Sequence, residues 1–124
     1  MKHVSAKARV ALITCEQLPD LYTDDLLLVS ALEDIGIRGV PAVWSRADVD
    51  WSSFAALVMR TPWDYFERVP EFRAWLDRRI ASGVPMFNAP AILKWNFDKS
   101  YLQDLANKGV ELVPTLCIAQ NEKA

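Results

Sequence analysis

The chain has 124 residues, of which 52% are hydrophobic and 24% charged, a composition typical of one folded domain. Its 14 Lys and Arg residues nearly balance 16 Asp and Glu residues without clustering, so nucleic acid is not an expected partner. No apolar run approaches the roughly 20 residues that cross a bilayer, and no signal sequence opens the chain. We therefore expect a cytoplasmic protein with no membrane partner.

Histidine and cysteine are scarce. With His3 as the single histidine, we expect neither a catalytic histidine nor a His-rich metal site. Cys15 and Cys117 each stand in an apolar, strand-like segment, and we expect both to be buried free thiols.

The first half of the chain predicts a strand, a helix and a second strand. Residues 9–15 form an apolar run typical of a strand covered on both faces. Residues 24–35 follow helical spacing, with Thr23 or Asp24 available as the cap. Residues 40–44 predict the second strand. The apolar stripe predicted for the helix comprises Leu27, Ala31 and Ile35, with Leu28 and Leu32 beside it.

The second half repeats this alternation. Strands are predicted over residues 54–59, 84–87 and 110–118, and helices over residues 70–81 and 98–107. Strands that alternate with helices indicate an α/β fold, a three-layer sandwich with a mostly parallel, Rossmann-like sheet of about five strands.

Glycines mark the ends of the three predicted helices. Gly36, Gly83 and Gly109 each stand between the end of a predicted helix and the start of the next predicted strand. Because glycine adopts a left-handed backbone conformation at little cost, this placement predicts C-terminal helix caps.

Ligands of parallel sheets bind beyond the carboxyl ends of the strands. In this chain that rule selects three loops, residues 16–23, 60–68 and 88–99.

The loop that begins at Arg60 directly follows a predicted strand. A guanidinium offers donors in a fixed fork that suits a carboxylate or phosphate. Pro62 stiffens the turn, and Trp63 and Tyr65 are placed to wall a pocket. The alternative is that Arg60 pairs with Asp64 and that the aromatic rings pack on a neighbouring helix.

Lys99 is expected in the first turn of a helix that Asn96 or Asp98 caps. A cation is mildly unfavourable at that end of a helix, so its presence there is consistent with an anionic ligand. The alternative is a solvated surface lysine.

Three aspartates, Asp20, Asp24 and Asp25, cluster near the start of the first helix. They allow a magnesium site, but helix capping and compensation of the helix dipole are favoured, and we expect no metal site. The sequence also lacks the glycine-rich loops that cradle phosphates.

The order of these segments resembles the start of an ATP-grasp enzyme. It is similar to bacterial glutathione synthetase and, more closely, to a bacterial branch that includes the cyclo-ligase of cycloserine biosynthesis. The resemblance extends from Val10 to about Thr115. It rests on Arg-Thr-Pro-Trp-Asp at residues 60–64, Asn-Ala-Pro at 88–90, Asn96 with Lys99, and residues 109–115.

The resemblance implies a pre-ATP-grasp domain over residues 1–115, with residues 116–124 beginning a linker to a missing ATP-grasp domain. The implied full-length enzyme is an ATP-dependent carboxylate–amine ligase that uses ATP and Mg²⁺ and forms an acylphosphate. The fragment alone is expected to be inactive and to bind no cofactor.

The resemblance also assigns residues. Arg60, Thr61, Trp63 and Asp64 would line the pocket for a small-molecule carboxylate, and Lys99 would contact ATP. No catalytic residue is expected in the fragment. Glutathione synthetases carry a second proline after the arginine, where Trp63 follows Pro62 here, so glutathione synthesis is not the expected reaction.

Two other classes of function fit parts of the sequence. A flavodoxin-like signalling module fits the size, but its phosphorylatable aspartate would stand where this chain has Arg60. An interaction domain that forms a homodimer through an exposed apolar patch is the second alternative.

Overall fold

A computed structural model describes residues 7–118. Its elements in chain order are β1 (Arg9–Thr14), α1 (Asp25–Asp34), β2 (Arg38–Val43), β3 (Ala56–Thr61), α2 (Val69–Ala81), β4 (Met86–Phe87), α3 (Pro90–Trp95) and α4 (Tyr101–Asn107), with short 3₁₀ turns at Trp51–Ser53 and Tyr65–Glu67.

The four strands form one sheet in the order β2-β1-β3-β4, and all of the pairings are parallel. This confirms the α/β class with a parallel sheet. No helix of residues 7–118 is long and apolar enough to cross a membrane.

Alternate residues of the central strand β1 serve two cores. Ala11 and Ile13 belong to the larger cluster, which includes Phe72, Trp75 and Leu76 of α2. The intervening residues of β1, Val10 and Leu12, pack with Leu28, Val29 and Leu32 of α1. Because successive side chains of a strand point to opposite faces, one strand thereby holds a helix on each side of the sheet.

The predicted glycine caps are confirmed. Gly36, Gly83 and Gly109 have φ angles of 80°, 72° and 81°, in the left-handed region, and each lies two residues beyond the last residue of its helix. No side chain approaches the position that a Cβ would take at these glycines. The left-handed backbone conformation, and not steric crowding, therefore explains why glycine occupies these positions.

The predicted apolar face of α1 is wrong in its central residues and right for the two leucines beside them, Leu28 and Leu32. Leu27 and Ile35 are 75% and 70% exposed, and the helix faces the sheet through Leu28, Val29 and Leu32. The run of leucines is compatible with two overlapping apolar stripes at helical spacing. Packing against β1 buries the stripe that contains Leu28 and Leu32.

The predicted last strand is also wrong. Residues 110–118 pair with no strand of the described part of the chain, and Val113 and Leu116 are more than 80% exposed. A strand requires a hydrogen-bonded neighbour, and apolar composition alone does not supply one. Cys117 lies in this segment and is exposed, in contrast to the expected burial, whereas Cys15 is buried as expected.

Helix α3 was not predicted. The sequence indicated only a turn at residues 88–90, but Pro90 is the first residue of a helix that extends to Trp95. Proline suits the first helical position because its missing N–H would have no partner there. Lys94 of this helix forms an ion pair with Asp77 of α2, with 2.6 Å between Nζ and Oδ1.

Strand β2 forms one edge of the sheet and contains Pro41 opposite Leu12. The amides of Arg38 and Trp44 donate to the carbonyls of Ala8 and Thr14 on the inner side of β2. Since N–H groups alternate in direction along a strand, the nitrogen of Pro41 faces the outer side.

Candidate functional site

Arg60 stands in an irregularity of the sheet. Ile13 pairs with Met59, and the next residue of β1, Thr14, pairs with Thr61, so Arg60 is an additional residue in β3. Such a bulge bends a strand locally and redirects the side chain. It gives Arg60 an exposed position between the buried residues Met59 and Thr61.

The partner of Arg60 is Asp25, the first residue of α1. Arg60 Nε and Nη2 lie 2.6 and 2.5 Å from Asp25 Oδ1. Asp25 is only 2% exposed, while the side chain of Arg60 remains 41% exposed. The pairing with Asp64 that the sequence allowed is not observed. A buried carboxylate therefore fixes one edge of a guanidinium whose remainder faces solvent.

The other oxygen of this carboxylate has no such partner. Asp25 Oδ2 is buried and accepts no hydrogen bond from residues 7–118. Asp24, the residue before it, makes no side-chain capping bond to α1. Asp25 therefore serves Arg60 and not the cap that the sequence favoured.

Thr61 is buried in the structure. Its Oγ1 lies 2.9 Å from Oγ1 of Thr14, which itself donates to the carbonyl of Leu18 at 2.7 Å. Thr61 is therefore the donor in the first bond. This chain of hydroxyls ties the end of β3 to the loop after β1.

Asp64 is also buried, and it accepts a hydrogen bond from the indole of Trp44. The distance from Trp44 Nε1 to Asp64 Oδ1 is 2.7 Å. Trp63, between Thr61 and Asp64 in the loop, is 53% exposed and contacts the ring of Tyr22 at a centroid distance of 5.5 Å. Of the four residues expected to line a carboxylate pocket, only Arg60 and Trp63 are open to solvent.

Arg60 and Trp63 line a cavity of about 190 Å³ at the carboxyl ends of β3 and β4. The segment after β4, which includes α3, also lines the cavity, through Asn88, Leu93, Asn96 and Phe97. The loops at residues 60–68 and 88–99 thus meet, as the rule for parallel sheets predicts.

Asn88 shapes this cavity through its backbone. Its φ of 44° is in the left-handed region, which asparagine tolerates better than most residues. With its amide turned toward the sheet, Nδ2 donates to the carbonyls of Met59 and Phe87 at 3.2 and 3.1 Å. Asn88 therefore connects the end of β4 to β3 and turns the chain toward α3.

Lys99 does not line the Arg60 cavity. It precedes α4, which begins at Tyr101 and not at residue 98 as predicted, and its Nζ lies 5.4 Å from the centre of the Tyr101 ring. Lys99 lines a separate cavity of about 570 Å³ with Thr115 and neighbouring residues. Phe97 lines both cavities.

The turn that carries Lys99 is held by Asp98. Asp98 Oδ1 accepts from the backbone N–H of Ser100 at 2.7 Å. This backbone hydrogen bond, and then one from the Ser100 side chain, lowers the pKa of Asp98. The residue acts as a turn anchor one position before the predicted ATP contact.

Metal ligands do not converge in the described part of the chain. Residues 7–118 contain no group of three or more His, Cys, Asp or Glu side chains placed to hold an ion.

Two contributors to the site were missed at the sequence level. The sequence favoured capping or compensation of the helix dipole for Asp25, because nothing in it connects this residue with Arg60, 35 positions away. Leu93 was missed with α3, although proline followed by strong helix formers was an available signal.

Comparison with known proteins identifies a family and relatives that this chain resembles. A family model for the N-terminal domain of D-cycloserine synthetase DcsG matches residues 10–88. The cycloserine biosynthesis protein DcsG of Streptomyces lavendulae is 36% identical over 97 residues, which cover 78% of this chain and 32% of that protein.

The solved structures give the same result. The crystal structure of D-cycloserine synthetase DcsG matches with a TM-score of 0.76 and 35% identity, covering 86% of this chain and 36% of that one. The chain thus spans about a third of the length of these relatives. With this sequence match and this fold, the chain belongs to the family of the N-terminal domain of D-cycloserine synthetase DcsG.

Proposed function

We propose that this chain is the N-terminal substrate-binding domain of an ATP-dependent carboxylate–amine ligase of the ATP-grasp type. The observation that carries the proposal is the half-exposed guanidinium of Arg60, held by a buried carboxylate beside a cavity at the carboxyl edge of the sheet. Membership of the DcsG family favours this function over a flavodoxin-like signalling module.

Arg60 is the proposed contact for the substrate carboxylate. A guanidinium has five N–H donors, and Asp25 engages those on the Nε side. The edge formed by Nη1 and the second N–H of Nη2 remains for a planar oxyanion, which it can bind through two parallel bonds. Asp25 is a positioning residue in this scheme, since it fixes the plane of the guanidinium.

The remaining assigned residues have two kinds of role. Trp63 would cover the substrate from solvent, because its ring is exposed at the cavity. Thr61 and Asp64 would act indirectly, by fixing the loop through Thr14 and Trp44.

ATP would supply the phosphoryl group that activates the substrate carboxylate as an acylphosphate, which an amine then attacks with release of phosphate. Lys99 is the proposed contact for an ATP phosphate, and it lies outside the residues that the family model matches. The Mg²⁺ ions would be held by parts of the ligase beyond residues 7–118.

A chimera tests the proposed role of Arg60. The matching segment of Streptomyces lavendulae DcsG is replaced by this chain, and ADP formation is followed with the substrates of that enzyme. Arg60→Gln should lower kcat/KM by roughly 100-fold, because a charge-assisted pair of hydrogen bonds is lost. Arg38→Gln, which removes the same charge from an exposed position at the amino end of β2, away from the cavity at the carboxyl ends, is the control. Equal activity of the two variants would refute the role of Arg60.

The isolated chain provides a second test. The purified 124-residue protein should release no phosphate from ATP and Mg²⁺ above the buffer rate, because the ligase needs the parts that hold the metal. Sustained release that follows the protein through purification would contradict the proposal that this chain acts only as a substrate-binding domain.

A further inference from the structure

A second cleft lies between the end of β2 and helix α2. It measures about 440 Å³, within the range of small-molecule sites, and three tryptophans line it: Trp44, Trp51 and Trp75. It shares no lining residue with the Arg60 cavity.

The cleft also carries an excess of positive charge. Four arginines line it, and two of them have carboxylate partners. Arg46 Nη2 binds Glu16 Oε2 at 2.9 Å, and Arg68 binds Glu71. The other two arginines, on the last turns of α2, form no ion pair with any residue of the described range.

Two of these guanidiniums lie over indole rings of the cleft. The Cζ atom of Arg68 lies 4.8 Å from the ring centre of Trp44, and that of Arg79 lies 5.3 Å from the ring centre of Trp51. A guanidinium that stacks through its face keeps its in-plane N–H groups for hydrogen bonds. Arg79 Nε has no protein acceptor within residues 7–118.

Two buried donors of the cleft lack acceptors. Trp75 Nε1 and Arg79 Nε are both shielded from solvent and donate to nothing in the described chain. Buried donors without partners are rare, because each costs free energy. Burial, followed by the charge of Arg78, lowers the pKa of Arg79. The cleft therefore combines two unused donors with uncompensated positive charge.

We propose that this cleft binds a small oxyanion, a carboxylate or a phosphate, at a site separate from the Arg60 cavity. The oxygens of the ligand accept hydrogen bonds from Arg79 and Trp75, and Arg78 balances the remaining charge. The three indoles supply an apolar wall for the rest of the ligand.

Residue-resolved NMR of the chain tests the site. Sodium benzoate and inorganic phosphate are titrated separately, and the indole N–H of Trp75 and the Nε–H of Arg79 are followed. Saturable shifts of both signals below about 10 mM support the proposal, and the anion that saturates them identifies the ligand as carboxylate or phosphate. The absence of saturation with either probe overturns it.

Matched variants locate the binding. Arg79→Gln should weaken binding at least roughly tenfold, whereas Arg73→Gln, on the same helix but outside the cleft, should change it less than about twofold. Equal weakening by both would indicate general electrostatic attraction and overturn the proposal. Trp75→Phe keeps an aromatic ring but removes the N–H donor together with part of the buried indole, so it should also weaken binding. Arg60→Gln should leave this titration unchanged, and a large effect would contradict a separate site.

Discussion

The guanidinium of Arg60 is held on one side only, and this asymmetry makes it available to a ligand. Asp25 is almost fully buried, and within residues 7–118 its carboxylate forms an ion pair with Arg60 while its Oδ2 accepts no hydrogen bond. An ion pair with one buried member depends strongly on both partners, because loss of either leaves an uncompensated group.

Asp25→Asn should therefore destabilise the fold by about 2 kcal/mol. The neutral amide weakens the bond to Arg60 and places an N–H donor where Oδ2 now has no partner. Urea denaturation measures the effect. The neighbouring Asp24→Asn is the matched control, since Asp24 is exposed and makes no capping bond. Two variants of equal stability would show that the ion pair contributes nothing.

Asn88 has a left-handed backbone conformation, and its side chain also donates hydrogen bonds to the carbonyls of Met59 and Phe87. Asn88→Ala should cost about 1 kcal/mol more than Asn88→Gly, because alanine resists the left-handed conformation that glycine adopts freely. Thermal or urea unfolding of the two variants gives the difference. Asn96, whose φ is −89°, provides the control, since its Ala variant should be at least as stable as its Gly variant. The idea fails if Asn88→Ala and Asn88→Gly unfold alike.

At the scale of elements, the sequence predicted those features that local chemistry determines. The ends of three helices followed from glycine, and the paired strands followed from apolar runs of strand length. The face of α1 could not be predicted, because Leu27 and Leu28 are equivalent until β1 is in place. Residues 110–118 were assigned as a strand on composition, although pairing decides whether a strand forms.

The candidate site also combines features that the sequence predicted with features that it could not predict. The convergence of the loops at Arg60 and Asn88 followed from the parallel sheet. The bulge at Arg60 depends on the register between β3 and β1, which the pattern of one strand does not contain. The partnership with Asp25 and the burial of Thr61 and Asp64 depend on contacts between distant segments.

The turn before α4 should respond to acid. An aspartate whose pKa is lowered on folding stabilises the protein above its unfolded-state pKa, and this contribution is lost as the pH falls through the folded-state value. The amide proton of Ser100 should therefore report a transition with a midpoint below about 3.9. Asp98→Asn should abolish this transition. A midpoint at or above the ordinary value would contradict the hydrogen bond from Ser100.

At the scale of the whole molecule, apolar side chains remain uncovered at residues 110–118. Val113 and Leu116 are 81% and 84% exposed, and we propose that this segment is an interaction surface. Its proposed partner is another domain of the ligase, and in the isolated chain a second copy can take that place.

The isolated chain should therefore self-associate as its concentration rises, as sedimentation velocity would detect. The double variant Val113→Asp/Leu116→Asp should shift it toward the monomer, since charge opposes burial of this surface. Leu27→Asp, at an equally exposed position on α1, should leave association unchanged. A strict monomer at high concentration, or equal effects of both changes, would argue against this surface.

Pro41 limits how copies of this protein can meet. Of the residues of β2 whose nitrogens face outward, the middle one has no hydrogen to donate. An incoming strand would find a gap in its ladder at that point, so this border of the sheet is a poor template for fibrils or for a continuous intermolecular sheet. Assembly through this border is thereby disfavoured, which reduces one route to aggregation of the protein.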